Sequence, residues 1–166
     1  MISMSLLPWV VAHTRPRCEK KLAEYCQREG VSVTLPTYRS VKTYRGKKVV
    51  FQKPLFPNYL FLRMALEEKK TIYQSDYVAN LLDVPDQAEF EAQLNDILVA
   101  LESDLEVFLA PEIRAGRRVR IRSGPLRGME GQVENRSGFT VVLLRLEFIG
   151  QAAAVKIDAA DLELVD

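Results

Sequence analysis

The apolar positions of this chain change their spacing several times, and each change marks an element. Pro8-Trp9-Val10-Val11-Ala12-His13 opens with a run that suits a strand. Val31 to Leu35 reads as a second strand, broken by Pro36. Tyr38 to Tyr44 continues extended, Arg45-Gly46 turns, and Lys47 to Gln52 returns, which predicts a basic β-hairpin. The densest apolar and aromatic run then follows, Pro54 to Met64. After Pro57 its side chains alternate with period two: Asn58, Leu60 and Leu62 point one way, Tyr59, Phe61 and Arg63 the other. Both faces carry bulky apolar groups. One can fill the core of its own domain; the second must meet covering helices, another domain or a partner.

Helical spacing alternates with these strands. Thr14-Arg15-Pro16-Arg17 predicts a helix start, with Thr14 as cap and Pro16 in the first turn. Leu22, Tyr25 and Cys26 then share one face, with Cys18 a turn earlier, and Gly30 closes the helix. Glu67 to Ser75 predicts a short helix and Tyr77 to Val84 a strand ended by Pro85. Phe90, Leu94, Ile97, Leu98 and Leu101 form an apolar stripe over Glu89 to Glu102. The order β-α-β-hairpin-β-α-β-α implies an α+β domain over residues 1–104, an antiparallel sheet with flanking helices.

Residues 105–114 contain Pro111 and show no clear period, which reads as a linker. From 115 to 166 short strands alternate with turns. Val119 and Ile121 alternate with Arg, Ser123-Gly124-Pro125-Leu126-Arg127-Gly128 turns, and Gly131 to Val133 begins a strand. Arg136-Ser137-Gly138 turns again, Phe139 to Phe148 is a long strand, and Gly150 precedes the return through Ala153 to Ile157. So many short strands in so short a segment suggest a small all-β barrel.

Charge sharpens this picture. The net charge is only +1, yet Arg15 to Lys53 holds 11 Lys/Arg against 3 Glu, and Glu67 to Glu106 holds 11 Asp/Glu against 2 Lys. Glu112 to Gly131 is positive again, with 6 Arg and 2 Glu. Two basic surfaces suited to phosphates and one acidic surface follow, with solvated faces as the plain alternative. No apolar run approaches the ~20 residues that cross a bilayer. No signal-peptide pattern opens the chain. Cys18 and Cys26 on one helix would stand ~12 Å apart, beyond disulfide reach, and two free thiols suit a reducing cytoplasm. A single His and no Cys/His cluster argue against a zinc site. No phosphate loop, nucleophile elbow or His-Glu-x-x-His pair is present, so neither an enzyme nor a cofactor is expected.

Four features, taken in order, carry a resemblance: Trp9-Val10-Val11, the basic segment after Thr14, the hexapeptide Phe56-Pro57-Asn58-Tyr59-Leu60-Phe61, and the turn-rich segment Arg120 to Val133 with Gly124, Gly128 and Gly131. The hexapeptide resembles the signature strand of the NusG family of transcription elongation factors. The last segment resembles the KOW motif, an SH3-like module shared with ribosomal proteins. Asn58 stands where most of the family has Gly, as in the specialised branch typified by RfaH, and Asn tolerates positive φ better than most residues.

The resemblance implies a NusG-type N-terminal (NGN) domain, a linker and a small all-β KOW barrel. It implies docking on the clamp helices of RNA polymerase through an apolar pocket of Phe56, Tyr59 and Phe61, with His13 at its rim. It also implies contact of the first helix with the non-template DNA strand of the transcription bubble through Arg15, Arg17, Lys20, Lys21 and Arg28, with Tyr25 a candidate for base stacking. In the general factor the KOW barrel binds Rho or a small-subunit ribosomal protein, and Leu126 and Met129 fall where such a contact is made. Glu68-Lys69-Lys70 is charged where the family has a Thr-rich motif. The expected protein is a cytoplasmic, monomeric elongation and antitermination factor, a specialised operon-restricted paralogue, with a general NusG or a ribosome-binding KOW protein as alternatives. Some relatives of the RfaH type hold the C-terminal region as a helical hairpin. Here Val119 to Val165 is consistently β in pattern, so a barrel is expected.

Overall fold

A computed structural model describes residues 7–111, 116–136 and 138–165. The chain divides into two compact units, Met1–Gln87 and Ala88–Asp166.

The first unit is built on β1 (Trp9–Thr14), α1 (Glu19–Arg28), β2 (Ser32–Thr34), β3 (Thr37–Tyr44), β4 (Lys47–Pro54), β5 (Tyr59–Arg63), α2 (Lys69–Tyr73) and β6 (Val78–Asp83). Four strands form an antiparallel sheet in the order β2-β5-β1-β6. Period-two alternation sorts its side chains. Val10 and Ala12 of β1 lie opposite Leu62 and Leu60 of β5, and they join Leu22 and Cys26 of α1 and Ile72 of α2 in one buried core. The opposite face carries Trp9, Val11 and His13 beside Arg63, Phe61 and Tyr59. Burial pushes the Cys26 thiol up to about 11, so it stays protonated near neutral pH. Both cysteines are free.

The first helix starts later than the capping pattern predicts. Thr14 ends β1, and Arg17 takes φ +62°, a left-handed conformation that cannot belong to a helical turn. The helix therefore begins at Glu19, preceded by Cys18 without a side-chain cap. β3 and β4 pair over their whole length as a separate two-stranded ribbon. Its tip is formed by Arg45 and Gly46, both at positive φ, as the tight hairpin requires.

The second unit holds most of α3 (Gln87–Glu102), then β7 (Val107–Ala110), β8 (Arg117–Ile121), β9 (Glu130–Arg136), β10 (Phe139–Leu146), β11 (Gln151–Lys156) and β12 (Leu162–Leu164). The strands form one antiparallel sheet in the order β12-β8-β9-β10-β11-β7, the all-β domain expected of the KOW type. Two boundaries differ from the sequence reading. The linker expected at 105–114 contains β7, because the apolar run Val107-Phe108-Leu109-Ala110 pairs with Ala152 to Val155. Residues 112–115 of that linker, and Ser137 of the later turn, lie outside the described residues. The last helix, expected to close the first domain, groups instead with the second sheet. Phe90 meets Phe148 edge-on at 6.4 Å, and the Glu147 N–H donates to the Gln93 side chain at 2.9 Å.

Candidate functional site

The turn before β5 is set by its residue types. The Tyr59 N–H donates to the Phe56 carbonyl at 3.2 Å, Pro57 fixes the second turn position, and Asn58 takes φ +71° at the third. Proline followed by a positive-φ residue is the requirement of a type II turn. The turn is held from two sides. The Asn58 N–H donates to Glu19 Oε2 at 3.0 Å, and its carbonyl accepts the Thr14 N–H at 2.8 Å. Glu19, nearly buried, thus ties the first turn of α1 to the signature segment.

From this turn β5 runs alongside β1, placing three pairs in a row on one face. Arg63 lies over the Trp9 ring at 4.7 Å, Phe61 is opposite Val11, and Tyr59 is opposite His13 with ring centroids 5.2 Å apart. Phe56 joins this face through an edge-on contact with Phe61 at 6.2 Å. The four residues expected to form an apolar pocket are therefore neighbours, but unequal in access. Phe56 and Phe61 are 1% and 0% exposed, whereas His13 and Tyr59 are half-buried.

The basic candidates divide as well. Arg15, Arg17, Lys20, Lys21 and Arg28 are all exposed. Arg15 and Arg17 precede α1 rather than belonging to it, a consequence of the late helix start. Lys21 and Arg28, seven residues apart, share a helix face. Lys20 Nζ donates to the Gln52 carbonyl at 2.9 Å, tying the helix to the base of the β3–β4 ribbon. Tyr25 is a correction: its hydroxyl donates to the Thr71 carbonyl at 2.8 Å and its ring packs on the core, which withdraws it from base stacking.

In the second unit Leu126 is also corrected. It is 1% exposed, so it packs inside its own unit instead of offering a contact; Met129 beside it is half-buried. Gly124 and Gly128 take positive φ, which shapes the turn around both residues. A cleft of about 310 Å³ lies between α3 and the sheet, lined by Glu89, Gln93 and Asp96 on one side and Arg118, Glu130 and Arg145 on the other. Burial holds the Asp96 carboxyl above its usual range. The cleft lining includes no histidine, cysteine or serine to act as a nucleophile or its base. Among the described residues no cluster suits a metal ion, and no helix is long and apolar enough to cross a membrane.

A family model described as transcription termination factor nusG matches residues 7–101. The transcription termination/antitermination protein NusG of Borreliella burgdorferi is 22% identical over 183 residues, spanning 95% of this chain and 98% of that protein. Its counterpart in Rickettsia typhi is 24% identical over 140 residues, spanning 76% and 73%. A solved structure concerned with domain interaction in Thermotoga maritima NusG covers 99% of this chain and 100% of its own, with a TM-score of 0.53 at 18% identity. At that identity the likeness is one of fold.

Proposed function

The chain belongs to the NusG family of transcription termination and antitermination factors, which are not enzymes, and from that premise we propose that it docks on the clamp helices of RNA polymerase through the β1–β5 face. The observation that supports this most directly is the His13–Tyr59 pair, half-buried at one end of the row beside the fully buried Val11–Phe61 pair. Tyr59 offers an anchor, His13 a polar rim, and Phe61, with Phe56 packed on it, lies next along the same face. Aromatic anchors flanked by polar groups dominate interface energies.

Tyr59→Ala is expected to weaken binding of RNA polymerase about thirtyfold, about 2 kcal/mol at a hot spot. Its thermal unfolding should barely move, because the ring is only half-buried. Undiminished polymerase capture by a folded Tyr59→Ala protein would remove this face from the interface.

The exposed Lys21 and Arg28 are read as contacts to the non-template DNA strand, with Arg15, Arg17 and Lys20 adding positive potential. Lys21→Glu combined with Arg28→Glu should leave polymerase docking intact and reduce recruitment to particular templates, measured by occupancy along the genome. Recruitment equal to the parent's would dismiss the DNA role. The second unit is read as recruiting Rho or a small-subunit ribosomal protein, with Met129 at the contact. Asn58, in the left-handed turn position where the general factor carries Gly, favours an operon-restricted paralogue, and the protein is read as cytoplasmic and monomeric. Genome-wide occupancy confined to a few long operons would agree with that reading; occupancy of nearly all transcribed units would establish a general NusG.

A further inference from the structure

The β3–β4 ribbon carries six cations, Arg39, Lys42, Arg45, Lys47, Lys48 and Lys53, and no acidic residue between Thr37 and Pro54. Register decides how they are arranged. Residues directly opposite each other share a face, so Tyr38 lies beside Lys53, Ser40 beside Phe51, Lys42 beside Val49, and Tyr44 beside Lys47. One face therefore holds Tyr38, Phe51 and Tyr44 interleaved with Lys53, Lys42 and Lys47. Tyr44 is 53% exposed and Phe51 39%, with rings edge-on at 6.4 Å. Lys42 and Lys53 stand close enough for Lys42 to pull the Lys53 ammonium below its usual range. Exposed aromatic rings interleaved with uncompensated cations suit a polyanion that also offers flat apolar rings.

We propose that this face of the ribbon binds a single-stranded nucleic acid, its bases stacking on Tyr38, Tyr44 and Phe51 and its phosphates meeting Lys42, Lys47 and Lys53. Charge complementarity selects the polyanion, and the exposed rings select a strand with unpaired bases over a duplex. The inference does not rest on polymerase docking, and its test contains no polymerase, so the two readings can fail separately.

The experiment is fluorescence anisotropy of the full chain with labelled 20-nucleotide oligo-dT and oligo-U, at several salt concentrations. Tyr44→Ser with Phe51→Ser should weaken binding at least about tenfold, as the loss of two stacking rings implies. Tyr44→Leu with Phe51→Leu, which keeps apolar strand residues, should show the same loss if the rings matter as stacking platforms. Lys42→Gln, Lys47→Gln and Lys53→Gln together should lower the slope of log affinity against log salt by about 2. A loss in either sugar series supports the proposal and names the strand it takes. Affinity unchanged in all ribbon variants, or lost only in the Lys21→Glu and Arg28→Glu protein, overturns it. Equal binding of a 20-base-pair duplex that survives removal of both rings also overturns it, leaving charge alone.

Discussion

Leu62→Ala is expected to destabilise the first unit by about 2–5 kcal/mol, the range for emptying a sealed leucine site. Leu62 is fully buried, stands between Val10 on β1 and Val33 on β2, and lies in the core with Leu22, Cys26 and Ile72. The central strand holds its neighbours in place on both sides, so the cavity has little means of closing. Urea titration followed by circular dichroism measures the effect as a lower midpoint for the unit. A loss below about 1 kcal/mol would mean that the helical face of the sheet is looser than its burial implies. Tyr59, three residues away on the other face, provides the contrast: there truncation should cost binding and spare the fold.

Gly131→Val should be the most damaging change in the second unit. A Cβ on Gly131 would collide with the backbone carbonyl oxygen of Leu143 and come within 2.8 Å of Val142 Cγ1. The obstacle is backbone held in the β9–β10 ladder, which cannot rotate away as a side chain would. Overpacking of this kind costs about 1–3 kcal/mol, more when a ladder must open. Gly128→Ala makes a useful comparison. Gly128 has φ +92° but open space around its Cβ position, so its cost is conformational alone, about 1 kcal/mol. Thermal unfolding of the two variants separates steric from conformational demand. Equal midpoints would show that the Gly131 contact is relieved by small shifts.

Much of this architecture could be read from residue order, for a physical reason. α3 is a 16-residue run with apolar residues at helical spacing and β5 alternates with period two, so their faces follow from spacing alone. The late start of α1 could not be read, because it depends on the left-handed Arg17, a residue type that gives no warning of positive φ. β7 was hidden because four apolar residues beside a proline look like a linker until a pairing strand is present. The signature segment was legible as a strand with bulky apolar groups on both faces, yet its division into buried Phe56 and Phe61 and half-buried Tyr59 and His13 is set by tertiary packing. Leu126 and Tyr25 were misread for the same reason: type and turn position suggested contact, whereas packing and one hydrogen bond turned them inward.

The β3–β4 ribbon also bears on solubility. Among the described residues neither of its outer edges pairs with a further strand, and unpaired edges template the addition of other chains. Val41, Val50 and Phe51 are exposed along it, which would favour such stacking. Six positive charges on each copy oppose the approach of a second ribbon, so these lysines and arginines act as gatekeepers against aggregation. Neutralising them would be felt in how concentrated the protein can become before it is felt in how well it folds.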